Sequence, residues 1–384
     1  MKRQLLFCTD GIFPHTVGGM QKHSFLLIEQ LAKYGEWEII VVHPHNKNVL
    51  DPSWNVKEIA IPFDFNGSYI WKQYQYSKKV SEVIQQYPEA IVYAQGFAVL
   101  HGLKKFGNRV IINQHGLEPF QGLTKNDRLK TLPMRMMERY QFHNAAKVIS
   151  LGGRLTTILQ NETYYSNNKI AVIPNAVYEC ALPTKNFEAE ELKLLYVGRF
   201  AFNKGIDILL ELVKTLNREG YKSKFKFYVV GKGPLYKKYT AEYQFDNVEY
   251  VGFASEERLK ELYEICDLFV FPTLFEGMPT VVLEAMVHGM PVIVSDTGAT
   301  TELVNNQNGY LVDAGDTRAF KCAIQTYYQL STDDKRKMSE ASRTRVMNNF
   351  TWEIVGRKHI ELFESMLPSI PIPIPRDGTL SKLS

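Results

Sequence analysis

Short apolar runs alternate with amphipathic stretches along most of the chain. Gln4–Thr9 and Trp37–Val42 are apolar over the length of a buried strand. Between them, Met20–Tyr34 repeats Phe25, Leu26, Ile28 and Leu31 at near-helical spacing. The joining stretch, Asp10–Gly19, holds the turn formers Pro14, Gly18 and Gly19. This is strand, loop, helix, strand: the opening of a parallel α/β sheet.

The alternation continues with strands predicted at Ala90–Tyr93, Arg109–Asn113, Lys147–Leu151 and Ile170–Pro174, and a helix at Met134–Ala146. Cys180–Glu191 is polar, contains Pro183 and reads as a linker. The pattern then restarts. Leu192–Val197, Phe225–Val230, Val248–Val251, Leu268–Phe271, Pro291–Ser295 and Gly309–Val312 read as strands. Ile206–Glu219, Glu256–Glu264 and Thr280–His288 read as helices. A last helix, Thr351–Met366, runs into Pro368, Pro371, Pro373 and Pro375, which cannot sustain it. The expected organisation is a first α/β domain over 1–185, a second over 186–350, a helix over 351–367 and a Pro-rich tail over 368–384.

Composition narrows the class. With 384 residues, 45% hydrophobic and 22% charged, the chain fits a folded two-domain protein. No apolar run approaches the roughly 20 residues of a membrane span, and Leu5–Phe7 is too short for a signal-peptide core. The four cysteines are scattered, without metal-ligand spacing, as expected of a protein in a reducing cytosol. The net charge of +4 hides an asymmetry. Residues 1–170 carry 20 Lys and Arg against 13 Asp and Glu, and the remainder is slightly acidic. A basic half suits an anionic partner, or is simply a solvated face. No nucleic-acid-binding motif accompanies it.

Two stretches carry candidate chemistry. In Phe271-Pro-Thr-Leu-Phe-Glu276-Gly-Met-Pro279-Thr280-Val-Val-Leu-Glu284, a strand ends, a Gly/Pro loop turns and a helix begins. Such a helix start presents free N–H groups and a positive dipole end to an anion such as diphosphate. Glu276 and Glu284 bracket it, as hydroxyl acceptors or as plain loop and surface carboxylates. In Val197-Gly198-Arg199-Phe-Ala-Phe-Asn-Lys204-Gly205, two cations follow a strand, a possible clamp for a diphosphate leaving group. Gly18-Gly19 allows close backbone approach where the first strand meets the first helix. There is no Walker loop, no D-x-D pair for a metal–diphosphate complex and no esterase elbow.

In this order the motifs resemble the family-4 retaining glycosyltransferases of GT-B fold. The resemblance runs from about Leu5 to Leu367 and rests most on Glu276-x7-Glu284 with Gly198-Arg199…Lys204-Gly205. It implies two Rossmann-like domains facing across a cleft, with the last helix crossing back to the first domain. The first domain would bind the acceptor and the second a nucleotide sugar. Arg199 and Lys204 would neutralise the diphosphate without a metal or other cofactor. Glu284 would bind the ribose, and Glu276 and His115 would face the donor sugar. Gly277, Met278 and Pro279 would line the site, and Gly19 would reach the diphosphate from the first domain. Gly18, Asn175, Gly198, Gly231, Gly233 and Thr280 would complete the donor site. Gln95 stands where the family often has His, and Ala176 where it usually has Gly.

The implied activity is retaining transfer from a nucleoside-diphosphate sugar, a UDP-sugar first among the choices, to a glycan or lipid-linked acceptor in surface polysaccharide or glycolipid synthesis. A nucleotide-sugar epimerase and a non-catalytic nucleotide-sugar-binding scaffold are the alternatives. Residues 125–147 interleave Lys125, Arg128, Lys130, Arg135 and Arg139 with Leu129, Leu132, Met134, Met136 and Met137. They read as an amphipathic stretch for an anionic membrane, at its cytoplasmic inner face, or as a half-buried helix with methionines in the core.

Overall fold

The computed structural model describes residues 3–121, 129–162 and 167–367. The Pro-rich tail 368–384, and Lys125 and Arg128, lie outside them. Among the described residues the strands form two fully parallel sheets. The first holds β1 (Arg3–Cys8), β2 (Trp37–His43), β3 (Lys57–Ala60), β4 (Ile91–Gln95), β5 (Val110–Asn113), β6 (Lys147–Ser150) and β7 (Ile170–Val172), in the order 3-2-1-4-5-6-7. The second holds β8 (Leu192–Val197), β9 (Phe225–Val230), β10 (Val248–Gly252), β11 (Leu268–Phe271), β12 (Val292–Ser295) and β13 (Gly309–Val312), in the order 10-9-8-11-12-13. Central strands such as β4, β11 and β12 are buried on both faces, which is why they read as continuous apolar runs rather than alternating ones.

Each sheet reverses its strand order once, beside β1 in the first and beside β8 in the second. Ligands of open α/β sheets bind outside the carboxyl ends of the strands at such a switch point. Gly18-Gly19 follows β1, and Gly198-Arg199 follows β8. Topology therefore puts each glycine-containing loop at the switch point of its own sheet.

The last helix, Trp352–Glu364, packs on the first domain. Its Trp352, Val355, Ile360, Leu362 and Phe363 join the core formed by β1, β2, β4 and the helix Gly19–Tyr34. Phe363 meets Trp37 edge-on at 5.8 Å, and His359 Nε2 lies 3.2 Å from the Tyr93 hydroxyl. Thr351 caps the helix by accepting from the Ile354 N–H. Where the chain crosses back, Val177 N–H donates to Phe350 O and Trp352 N–H to Val177 O.

Several elements lack a strong signal in the sequence. The helix Tyr69–Gln86 buries Gln73, Ser77 and Ser81 alongside Tyr76, Val80, Val83 and Ile84. Small and amide side chains on the buried face dilute its apolar periodicity. The helix Thr332–Asn349 is largely polar and buries Met338, Ser339, Ser342 and Val346. Ser339 and Ser342 hydroxyls donate to the carbonyls of Gly289 and Met290, so polar contacts dock that face. β3 is a short edge strand with no buried residue.

Candidate functional site between the two domains

Two adjoining chambers lie between the sheets, of about 510 and 320 Å³. Gly19 and Thr280 line both, so the first strand–helix junction faces the start of the helix Thr280–Val287. Pro279 is the residue before that helix, not its first residue, and no side chain caps the helix start. Its open N–H groups and dipole end therefore face the junction of the chambers.

The larger chamber gathers most of the predicted residues. His115, Asn175, Gly198, Arg199, Lys204, Glu276, Gly277, Met278 and Pro279 all line it. Arg199 is exposed there. Lys204 is ion-paired with Glu276, whose Oε1 also accepts from Thr273 Oγ1 at 3.2 Å. Lys204 is thus held by a carboxylate, while no ion pair holds Arg199 among the described residues.

Glu284 lies one turn into the helix and lines the smaller chamber. Tyr263 donates to its Oε2 at 3.0 Å, and Lys22 of the first domain lies 3.4 Å from its Oε1. The two carboxylates thus face different chambers, with the helix start between them.

His115 has a left-handed backbone, φ 58°. Its Nε2 meets Gln95 Oε1, and its ring lies edge-on to His23 at 4.4 Å. Burial, followed by His359, pushes its pKa down to about 3, so the imidazole is neutral at physiological pH. The His115 carbonyl explains Gly277: a Cβ there would lie 1.9 Å from that oxygen. Beside it, Asn175 Nδ2 donates to Met278 O at 2.7 Å. Gln121 Nε2 donates to Glu276 O at 3.0 Å. The loop carrying Glu276 is therefore docked on the first domain by backbone contacts.

Gly18, Gly231 and Gly233 line neither chamber. Gly231 has φ 127°, and a Cβ there would lie 1.9 Å from Gly198 O. A Cβ at Gly233 would lie 2.5 Å from Phe200 O. Both glycines back the loop that carries Arg199.

The motifs do not reveal the first domain's own wall of the larger chamber. It includes Met20, Tyr69, Phe97, Glu118, Met134 and Glu138. One signal was available for Glu138: a carboxylate at helical spacing with Phe142 on a buried face. Its helix, Leu132–Asn144, buries Glu138, Gln141 and Phe142 and no methionine, with Met136 62% exposed and Met134 in the chamber. Arg135 and Arg139 stack on the Phe120 ring at 5.1 and 5.7 Å. Among the described residues no helix is long and apolar enough to cross a membrane.

The geometry has close counterparts. Residues 17–178 match the family described as Glycosyltransferase Family 4, and residues 182–345 match Glycosyl transferases group 1. The amylovoran biosynthesis glycosyltransferase AmsK of Erwinia amylovora is 29% identical over 188 residues, 46% of either chain. A UDP-Gal:alpha-D-GlcNAc-diphosphoundecaprenol alpha-1,3-galactosyltransferase of Escherichia coli is 29% identical over 246 residues, 59% of this chain and 62% of that one. The matched region thus spans about half to three fifths of these relatives. The sucrose-phosphate synthase of Thermosynechococcus elongatus superposes with a TM-score of 0.76 at 20% identity, over 95% of this chain and 99% of that one, a likeness of fold. The two family matches cover most of the chain, one on each domain, and the two facing sheets are those of the GT-B architecture: the chain belongs to the family-4 glycosyltransferases.

Proposed function

We propose that the protein transfers a sugar from a nucleoside-diphosphate sugar to a glycan or lipid-linked acceptor, in the assembly of a surface polysaccharide or glycolipid. The observation that carries this reading is the meeting, at one cleft, of Arg199, Lys204 and an uncapped helix start at Thr280. Fixed positive charge of this kind stabilises a departing diphosphate. The relatives' printed activities, amylovoran biosynthesis and galactosyl transfer from UDP-Gal, support the substrate class and favour a UDP-sugar.

In the proposed mechanism the donor lies across the junction of the chambers, its ribose toward Glu284 and its sugar toward Glu276 and His115. The bond from the anomeric carbon to the phosphate oxygen breaks first, and the electron pair leaves with the diphosphate. Arg199, Lys204 and the helix N–H groups stabilise that charge. The acceptor hydroxyl then attacks from the side the diphosphate left, with retention, and its proton passes to a departing phosphate oxygen. No metal and no separate base enters this scheme. Domain closure excludes water. Exposed Leu129, Leu132 and Met136, with Lys130 beside them, would let this face rest on an anionic membrane.

The test is a thermal-shift series with UDP-, GDP- and ADP-sugars and the free diphosphates, with and without EDTA. A ligand that binds only the folded state raises Tm by mass action. One nucleotide series that stabilises the protein equally with EDTA is expected. No shift with any donor, or a shift abolished by EDTA, contradicts the proposal. Binding of the 125–147 face is checked by pelleting with vesicles of phosphatidylglycerol, where no co-sedimentation removes the membrane reading.

A further inference from the structure

Glu138 is out of place for a packing residue. It is 3% exposed, yet it lines the larger chamber and its Oε2 has no hydrogen-bond partner. A buried carboxyl oxygen left unpaired is destabilising, so such a group calls for a role beyond packing. Glu118 lines the same wall from the turn Glu118–Phe120. Tyr69 and Phe97 meet edge to face at 6.3 Å beside them.

The charge state follows from the surroundings. Burial, and then the Glu118 carboxylate, push the Glu138 pKa up to about 9 against the pull of Arg135. Glu118 is raised by burial and by Glu276 across the cleft, against the pull of Lys204. Glu118 is itself open to the chamber's solvent. At neutral pH Glu138 is an uncharged acid that both donates and accepts. Hydroxyl groups match that pairing. The C–H face of a sugar ring matches the aromatic pair. A carboxylate or phosphate on the acceptor would instead be set beside Glu118 and the buried acid Glu138.

We propose that Glu138, with Glu118, Tyr69 and Phe97, forms an acceptor subsite that takes an uncharged sugar unit and rejects a carboxylate- or phosphate-bearing unit at that position. The inference rests on the transfer reading above. It adds the chemical class of the accepting unit and names a residue outside every motif that carries the donor site.

The test uses the full chain with the nucleotide sugar that stabilises it most. Nucleoside-diphosphate release is followed alone and with p-nitrophenyl glucoside, galactoside, mannoside and N-acetylglucosaminide, and with p-nitrophenyl glucuronide. At least one neutral glycoside is expected to accelerate release, and the glucuronide is not. Glu138→Leu should raise the acceptor KM at least about tenfold more than the donor KM, as expected for one lost hydrogen bond. Glu138→Gln, which still donates and accepts, should stay within about threefold of the native value. The native acceptor KM should also rise as pH passes 9, and that of Glu138→Gln should not. The groups facing Glu138 are Glu118, Tyr69 and Arg135; the Gln variant leaves all three in place, so a pH effect that comes from them would persist in it. The proposal is overturned if the glucuronide serves as well as the neutral glycosides, or if Glu138→Leu leaves the acceptor KM unchanged. It is also overturned if no neutral glycoside accelerates an otherwise intact acceptor-free release. No nucleoside-diphosphate release from the native protein under any condition, with or without an acceptor, would instead count against the transfer reading itself.

Discussion

The two walls of the larger chamber are built from opposite materials. The second domain contributes cations, glycine turns and a helix start, from two compact loops at the ends of β8 and β11. The first contributes acids, aromatics and methionines, drawn from five separate segments between Met20 and Glu138. One wall suits a polyanion held by fixed charge. The other suits a neutral, hydroxyl-rich group held by paired donors and acceptors. On the proposed reading, a single cleft separates two recognition tasks by charge, with the reacting atoms at the border.

Arg199→Ala breaks the cationic wall most directly. The side chain is exposed, so the variant should melt within about 1 °C of the native protein. Its transfer rate should fall by about 10²–10³, the usual effect of removing one group that stabilises a developing anion. Steady-state kinetics together with a melting curve check both parts. A near-native rate would show that the helix start and Lys204 carry the charge alone.

Gly277→Ala attacks the seam between the walls. Its new methyl would meet the His115 carbonyl, a backbone atom that no rotamer change can move aside. We expect Tm to drop by about 5 °C or more and activity to fall with it, by calorimetry and initial rates. A smaller perturbation of the same seam is Asn175→Ala, which removes the hydrogen bond to Met278 O. About 1 kcal/mol of stability should be lost, measured by urea unfolding.

A pH-dependent effect tests the acidic wall and vanishes near pH 4. Glu138 keeps its proton in the folded state up to about pH 9, whereas the unfolded chain releases it near the ordinary glutamate value of 4.5. The folded state binds more protons between those limits, so this group's contribution falls as pH rises across them. Glu138→Gln removes that loss. The variant should match the native Tm near pH 4 and exceed it by a margin that grows toward pH 9. A constant difference across that range would mean the carboxyl is ionised in the native protein.

Much of the fold was legible because parallel strands buried on both faces leave continuous apolar runs. β1, β8, β11 and β12 were found within a residue or so of their ends. The helix Tyr69–Gln86 was not, because Gln73, Ser77 and Ser81 occupy its buried face. The basic wall was legible for a local reason: each of its groups sits in a loop right after a strand. The acidic wall was not, because nothing in the sequence brings Tyr69, Glu118 and Glu138 together. Only the packing of their elements at the carboxyl ends of β4 and β5 does so. Gly231 and Gly233 show a second use of glycine: a Cβ at either would collide with the backbone of the loop that carries Arg199.

The passage between the domains has a mechanical consequence. The chain crosses once after β7 and again before the last helix, and the two passages are fastened side by side at Val177 and Thr351. A joint made of one strand swivels freely, but two strands tied together behave like the spine of a book. They bend about one axis and resist twist and sideways slip. With the closure proposed above, the covers would open to admit a molecule and shut in register, bringing Arg199 back to the same place across from Gly19.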